Sequence, residues 1–304
     1  MQQSFIQRSI LIIISIMAAF NSYAQEPDPI ILKLLPEIPA NITEPAQRAE
    51  FLTLHFWDNY NFSDTSFLMK EHLLERSFVD YIDLLSAVPD NTRDKSINSL
   101  MKKSESEPII FSYILNLSEK YLYNTDSPIC DEEKLIPFLQ YALQASVLDD
   151  AEKIRPDFLL ESISKNRRGH VANDIAYTLK NGGTGNLHSI NTNYTLLYFN
   201  DPECEDCIEL IKQLSASPLT NDLIKQGKLK ILTVYINDDI EAWEKHSSDI
   251  PNSWIYSYDA EQKIMFEGTY NIKQFPTMYL LDKEKKVLLK DTTLEKLENY
   301  LREF

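Results

Sequence analysis

Residues 1–168 of this 304-residue chain contain no glycine, and all six glycines lie at or beyond Gly169. Glycine reaches left-handed backbone at no steric penalty, so a long stretch without it suits helices joined by proline and Asx-type loops rather than tight reversals. Apolar residues there recur at spacings of three and four over 44–60, 73–87, 91–104, 108–123, 131–147 and 154–164. Pro89, Pro108, Pro128 and Pro156 punctuate these segments. In the fourth, Ile109, Ile110, Tyr113, Ile114 and Leu117 mark the face expected to pack inward.

Beyond Gly169 the pattern changes. Short apolar runs at 195–200 and 230–236, and a pair at 277–281 and 287–290, read as strands. Helical patterns at 207–214, 240–246 and 293–302 lie between or after them, and that alternation indicates an α/β sheet. The cluster 181–186 reads as a plain turn or loop. The expected fold class is therefore α+α/β: an all-helical domain over 25–165, then an α/β domain over 166–304 whose central mixed sheet is flanked by helices. Such a length accommodates two domains, each able to bury its own core.

A composition of 43% hydrophobic and 25% charged residues excludes a disordered or collagen-like chain. The formal net charge of -16 repels phosphate backbones and anionic lipid head groups, so nucleic acid is excluded as a partner class. Arg8 followed by an apolar run over 10–20 and the small residues Ser22 and Ala24 reads as a signal peptide, 1–24, cleaved after Ala24. The alternative, an uncleaved anchor, needs about 20 apolar residues, more than this run supplies. The expected location is the periplasm or cell envelope, with no stable membrane span after cleavage.

Export permits disulfides to persist, which bears on the three cysteines. Cys204 and Cys207 can pair locally; Cys130 is left as a buried thiol, a redox bystander or an intermolecular partner. The segment Asn200-Asp-Pro-Glu-Cys204-Glu-Asp-Cys207 follows a strand and opens a helix. A cysteine at a helix N-terminus receives the partial positive charge of unsatisfied amide N–H groups, which favours its thiolate. The second cysteine lies one turn later on the same face. Cys204 is thus the candidate attacking thiol and Cys207 the shielded resolving thiol. A structural zinc site needs two further Cys or His ligands, and the five histidines are scattered without such spacing, so no metal and no cofactor is expected.

These residues carry a family resemblance. The stretch 169–304 resembles the thioredoxin superfamily, and within it the exported TlpA/ResA-like thiol-disulfide oxidoreductases. The block 170–176 looks like the family's opening strand, 196–207 like its active-site strand and loop, and 270–282 like its cis-proline block. The resemblance implies that Pro276 is cis and faces the sulfurs, with Phe275, Pro276 and Thr277 forming the substrate-binding loop; the alternative is a trans Pro276 that merely starts a strand. It also implies protein thiol or disulfide clients and a thiol electron donor. The helical half resembles domains of unknown function that precede thioredoxin-like domains in bacterial envelope proteins. Phe51, Phe56, Trp57 and Phe67 are candidates there for either core or a client-binding groove. Three readings follow for the whole: a thiol-disulfide oxidoreductase, a noncatalytic thioredoxin-fold binding or assembly module, and a protein with a structural Cys204–Cys207 disulfide.

Departures from the family pattern are acidic. Glu203 stands where tryptophan is frequent, Glu205 and Asp206 lie between the cysteines, and Tyr198 occupies the strand position where an acid is often buried. Glu209 is the nearest substitute for that acid, the alternative being a solvated surface residue. Asp201, Glu203, Glu205, Asp206 and Glu209 are the candidate modulators of thiolate formation. A helix terminus contributes about 0.3 to 1 kcal/mol, and one exposed charge near 4 Å about 1 kcal/mol in water, so several acids offset the helix end. A destabilised thiolate favours the disulfide. Redox titration against glutathione is therefore expected to give a reducing potential; one as oxidising as that of DsbA would overturn this expectation.

Overall fold

The computed structural model describes residues 29–303, and the export signal expected at 1–24 lies outside them. The chain divides into two compact units, the first ending at Asp149 and the second starting at Asp150.

The first unit is helical: α1 (Pro29–Leu34), α2 (Pro45–His55), α3 (Thr65–Leu68), α4 (Leu73–Leu85), α5 (Asp90–Ser104), α6 (Pro108–Leu122) and α7 (Glu132–Gln144). Proline opens α2 and α6, where its missing N–H is one the helix would leave unbonded anyway. Asp131 caps α7 by accepting from the Glu133 N–H. Helix α4 buries Leu74, Phe78, Tyr81, Ile82 and Leu85, the stripe that three-four spacing produces. Helix α6 departs from expectation: Ile110, Ile114 and Leu117 are buried with Phe111, while Ile109 is 64% exposed, because the inward stripe is centred one residue later than the sequence suggested. Phe56 and Trp57 are buried and pack with Tyr81 at ring-centroid distances of 5.4 and 5.3 Å, so they build core rather than a groove. The glycine-free stretch does make left-handed turns, at His72 (φ 58°) and Asn166 (φ 52°).

The second unit begins with α8 (Asp150–Ser164), which opens four residues before the helical pattern read at 154–164. It runs through Pro156 instead of breaking there. Lys290 Nζ donates to the carbonyls of Ile163 and Lys165, and Asn166 Nδ2 to that of Thr269, which fastens the end of α8 to the sheet domain. There follow β1 (Ala176–Leu179), β2 (Thr184–Asn186), β3 (Tyr194–Phe199), α9 (Glu205–Ala216), α10 (Pro218–Lys225), β4 (Leu229–Tyr235), α11 (Ile240–Lys245), β5 (Ile255–Tyr258), α12 (Lys263–Phe266), β6 (Thr277–Leu281), β7 (Val287–Lys290) and α13 (Leu294–Arg302). Their sheet has the order β2-β1-β5-β4-β3-β6-β7. Strands β3, β4 and β5 are parallel, and the remaining pairings are antiparallel.

Residues 170–175 form no strand beyond a bridge from Val171 to Lys286, so the opening strand starts at Ala176. The cluster 181–186 is the tip and return strand of a hairpin. Gly182 takes φ +80°, and a Cβ on Gly185 would meet the Tyr177 ring at 2.5 Å, so glycine is required twice there. Strand β3 is buried at every position after Tyr194. Its alternation sends Leu197 and Phe199 into one core and Leu196 and Tyr198 into the other, where Ile211 and Leu214 of α9 cover them. No helix among the described residues is long and apolar enough to cross a membrane.

In the first unit a buried relay joins three segments: Tyr81 Oη donates to Ser96 Oγ at 2.8 Å, which donates to the Thr53 carbonyl at 2.6 Å. Ser96→Ala leaves both buried partners without this bond, and is expected to destabilise the helical unit by about 1 to 3 kcal/mol. Urea unfolding would show it as a lower midpoint; an unchanged midpoint would contradict the relay's role.

Candidate functional site

Strand register explains why residues far apart in sequence meet at the sulfurs. Thr277 pairs with Phe199 at the end of β3, so the chain before Thr277 lies beside the loop that leaves β3. That loop turns at Asp201, whose Oδ1 accepts from the Glu203 N–H at 2.9 Å and whose Oδ2 accepts from Asn237 Nδ2 at 2.7 Å. The carboxylate thus ties the ends of β3 and β4 together.

Helix α9 starts immediately after Cys204, which is its N-cap residue in extended conformation. The Cys207 N–H donates to Cys204 Sγ at 3.2 Å. A sulfur takes the place that a serine or aspartate oxygen has in an ordinary cap, and the amide and helix end together attract negative charge to it. Cys204 is partly exposed, Cys207 fully buried, and both are free thiols. Burial, followed by the adjacent Cys204 sulfur, pushes the Cys207 thiol up to about 12; the Asp201 backbone N–H and the Tyr198 hydroxyl oppose that rise. One thiol therefore faces solvent at a helix end, while its neighbour is held neutral below.

The Phe275–Pro276 peptide is cis, and Cys204 Sγ lies 3.8 Å from the Phe275 carbonyl oxygen. The Phe275 ring packs against the core, and Pro276 is partly exposed. Thr277 is buried, and its Oγ1 donates to the Gln274 carbonyl at 2.7 Å, so its hydroxyl shapes this loop from within. Glu203, Glu205 and Asp206 are exposed around Cys204. Glu209 points away to solvent, accepting from Gln213 Nε2 at 3.0 Å and lying 4.0 Å from Lys212 Nζ, so it does not substitute for an acid beneath the pair. Cys130 belongs to the other unit, with its Sγ 3.4 Å from the Leu122 carbonyl.

Two residues near the pair were not singled out from sequence as site residues. Asn237 gave no signal, because its role depends on the β3–β4 pairing. Tyr198 did give one: a tyrosine in a strand buried on both faces needs a partner for its hydroxyl. It donates to the Cys207 carbonyl at 3.1 Å.

Comparison with known proteins matches residues 16–166 to a domain of unknown function, DUF5106, and residues 191–287 to a thioredoxin-like family. A crystal structure of a thioredoxin-like protein from Bacteroides caccae is 41% identical, with a TM-score of 0.85 over 88% of this chain and 97% of that one. The C-terminal domain of an uncharacterized protein from Bacteroides fragilis is 43% identical, covering 45% of this chain and 98% of that one with a TM-score of 0.45. A conserved protein of unknown function from Bacteroides fragilis is 32% identical, covering 44% and 98% with a TM-score of 0.44. No curated protein matches the chain.

The asymmetry of the two sulfurs has a direct readout. In the reduced protein at neutral pH, iodoacetamide is expected to modify Cys204 and leave Cys207 unmodified until the domain is unfolded. Peptide mapping by mass spectrometry would check this, and equal labelling of both would contradict the burial of Cys207.

Proposed function

We propose that this chain, which belongs to the thioredoxin-like family, is an extracytoplasmic thiol-disulfide oxidoreductase that acts on protein clients through Cys204 and Cys207. The observation that carries this reading is the juxtaposition of a half-exposed sulfur at a helix N-terminus with the carbonyl of a cis-proline loop, 3.8 Å apart. An extended client segment beside that loop presents its own sulfur to Cys204 and has main chain to bond. A sequence that resembles an export signal supports the location.

In the reducing direction the Cys204 thiolate attacks one sulfur of a client disulfide. A Cys204–client mixed disulfide forms, and the second client sulfur leaves as a thiolate. Cys207 then gives its proton to solvent and attacks Cys204 Sγ. The Cys204–Cys207 disulfide forms, the first client sulfur departs as a thiolate, and the client has gained the two electrons that the pair has lost. A thiol donor restores the pair by the same exchange in reverse. The order of events follows from the electrostatics. While Cys204 carries charge it opposes ionisation of Cys207, and once Cys204 is bonded to the client that opposition is gone. Resolution is thereby favoured only after a client has been captured.

The tests are insulin reduction by the purified protein and capture by Cys207→Ser. The wild type is expected to accelerate insulin reduction, and the variant to accumulate client mixed disulfides that are absent from Cys204→Ser/Cys207→Ser. Clients retained equally by the double variant would replace this reading with that of a docking module.

A further inference from the structure

Cys207 must ionise in order to resolve the mixed disulfide, yet it is fully buried, and among the described residues no carboxylate is hydrogen-bonded to its sulfur. The charged and titratable groups around it can be named element by element. On α9, Glu205, Asp206 and Glu209 are exposed, leaving only Cys204 beside it. In the loop after β3, the Asp201 carboxylate is engaged by the Glu203 N–H and by Asn237, and only the Asp201 backbone N–H faces the thiol. From β3 comes Tyr198, 0% exposed, on the sheet face that α9 covers. Its hydroxyl donates to the Cys207 carbonyl at 3.1 Å, and from that position it opposes the rise that burial imposes on the Cys207 thiol.

We propose that Tyr198 is the positioning residue of the resolving cysteine, a hydroxyl that serves the Cys207 carbonyl while the thiol is neutral and turns its proton to the sulfur when the thiolate forms. The proposal rests on the redox reading above and deepens it. A phenolic hydroxyl carries one proton and rotates about its C–O bond, so a single group serves both acceptors in turn. Burial and the two neighbouring sulfurs push the Tyr198 hydroxyl far above its ordinary range, so it does not act as a base. It keeps its proton throughout, while the Cys207 proton goes to solvent. The same donor assists the reverse step, in which a thiol attacks Cys204 Sγ and Cys207 leaves as a thiolate. A hydrogen bond to an ionised acceptor is roughly twice as strong as one between neutral groups, so the gain falls on the charged states of Cys207.

The experiment uses the full chain in a Cys130→Ser background, so that only the pair reports. The reduced protein is mixed with the chromogenic disulfide dithiobis-nitrobenzoate. The first thiolate released reports attack by Cys204, and the second reports resolution by Cys207. Tyr198→Phe is expected to leave the first phase within about twofold and to slow the second by roughly tenfold. Because the lost donor stabilised the thiolate, the pH midpoint of the second phase should also rise, by about one unit. Tyr198→Met, which fills the same space without a hydroxyl, should behave alike. The first phase doubles as a folding check on both variants. A second phase with unchanged rate and midpoint in either variant that keeps its first phase overturns the proposal. Loss of both phases in both variants overturns it as well, since Tyr198 then supports the whole loop rather than one step. A parent protein that releases no thiolate at all refutes the redox reading itself, and the proposal with it.

Discussion

The hydrogen bond from the Cys207 N–H to Cys204 Sγ is the contact on which the rest of the site depends. It makes a sulfur the cap of α9, so the group that starts the helix is also the nucleophile of the proposed reaction. An amide donor and a helix end are fixed partial charges that need no rearrangement when negative charge develops. The sheet exists, in this respect, to hold that helix end in place. Strand β3 is paired on both sides and buried along its length, and Asp201 binds its end to Asn237 beyond β4.

Burial then separates the two thiols. They are three residues apart and chemically identical, yet the turn of helix between them carries one from the protein's edge to its interior. The desolvation that keeps Cys207 neutral is the cost of shielding it from unwanted reagents. Where the family resemblance led one to expect a buried acid, this chain has Tyr198, whose hydroxyl donates to the Cys207 carbonyl. The acids of this site lie outside, at Glu203, Glu205 and Asp206, where water screens them.

The helical unit shows no such asymmetry. Its aromatic residues Phe56, Trp57 and Tyr81 are core, and the buried hydroxyls of Ser96 and Ser77 are bonded within the unit. Those hydroxyls join neighbouring helices and backbone, which gives this unit a defined packing.

Local chemistry was legible in the residues themselves. Absence of glycine and a three-four apolar rhythm determined the helical half, and alternation of short apolar runs with helices determined the sheet half. Cysteines spaced one turn apart after a strand determined where a helix end meets sulfur. These are properties of neighbouring residues, and neighbouring residues are what a sequence lays side by side. Other features had to await the tertiary structure. The inward face of α6 shifted past Ile109, α8 ran through Pro156, the glycine cluster became a hairpin, and of the two readings of Glu209 packing chose the solvent-facing one. Sequence could only name Asp201 and Tyr198 separately and gave no sign of Asn237, because each finds its partner across the sheet or beneath a helix. Which face is buried, and which hydroxyl meets which carbonyl, depends on packing between elements distant along the chain.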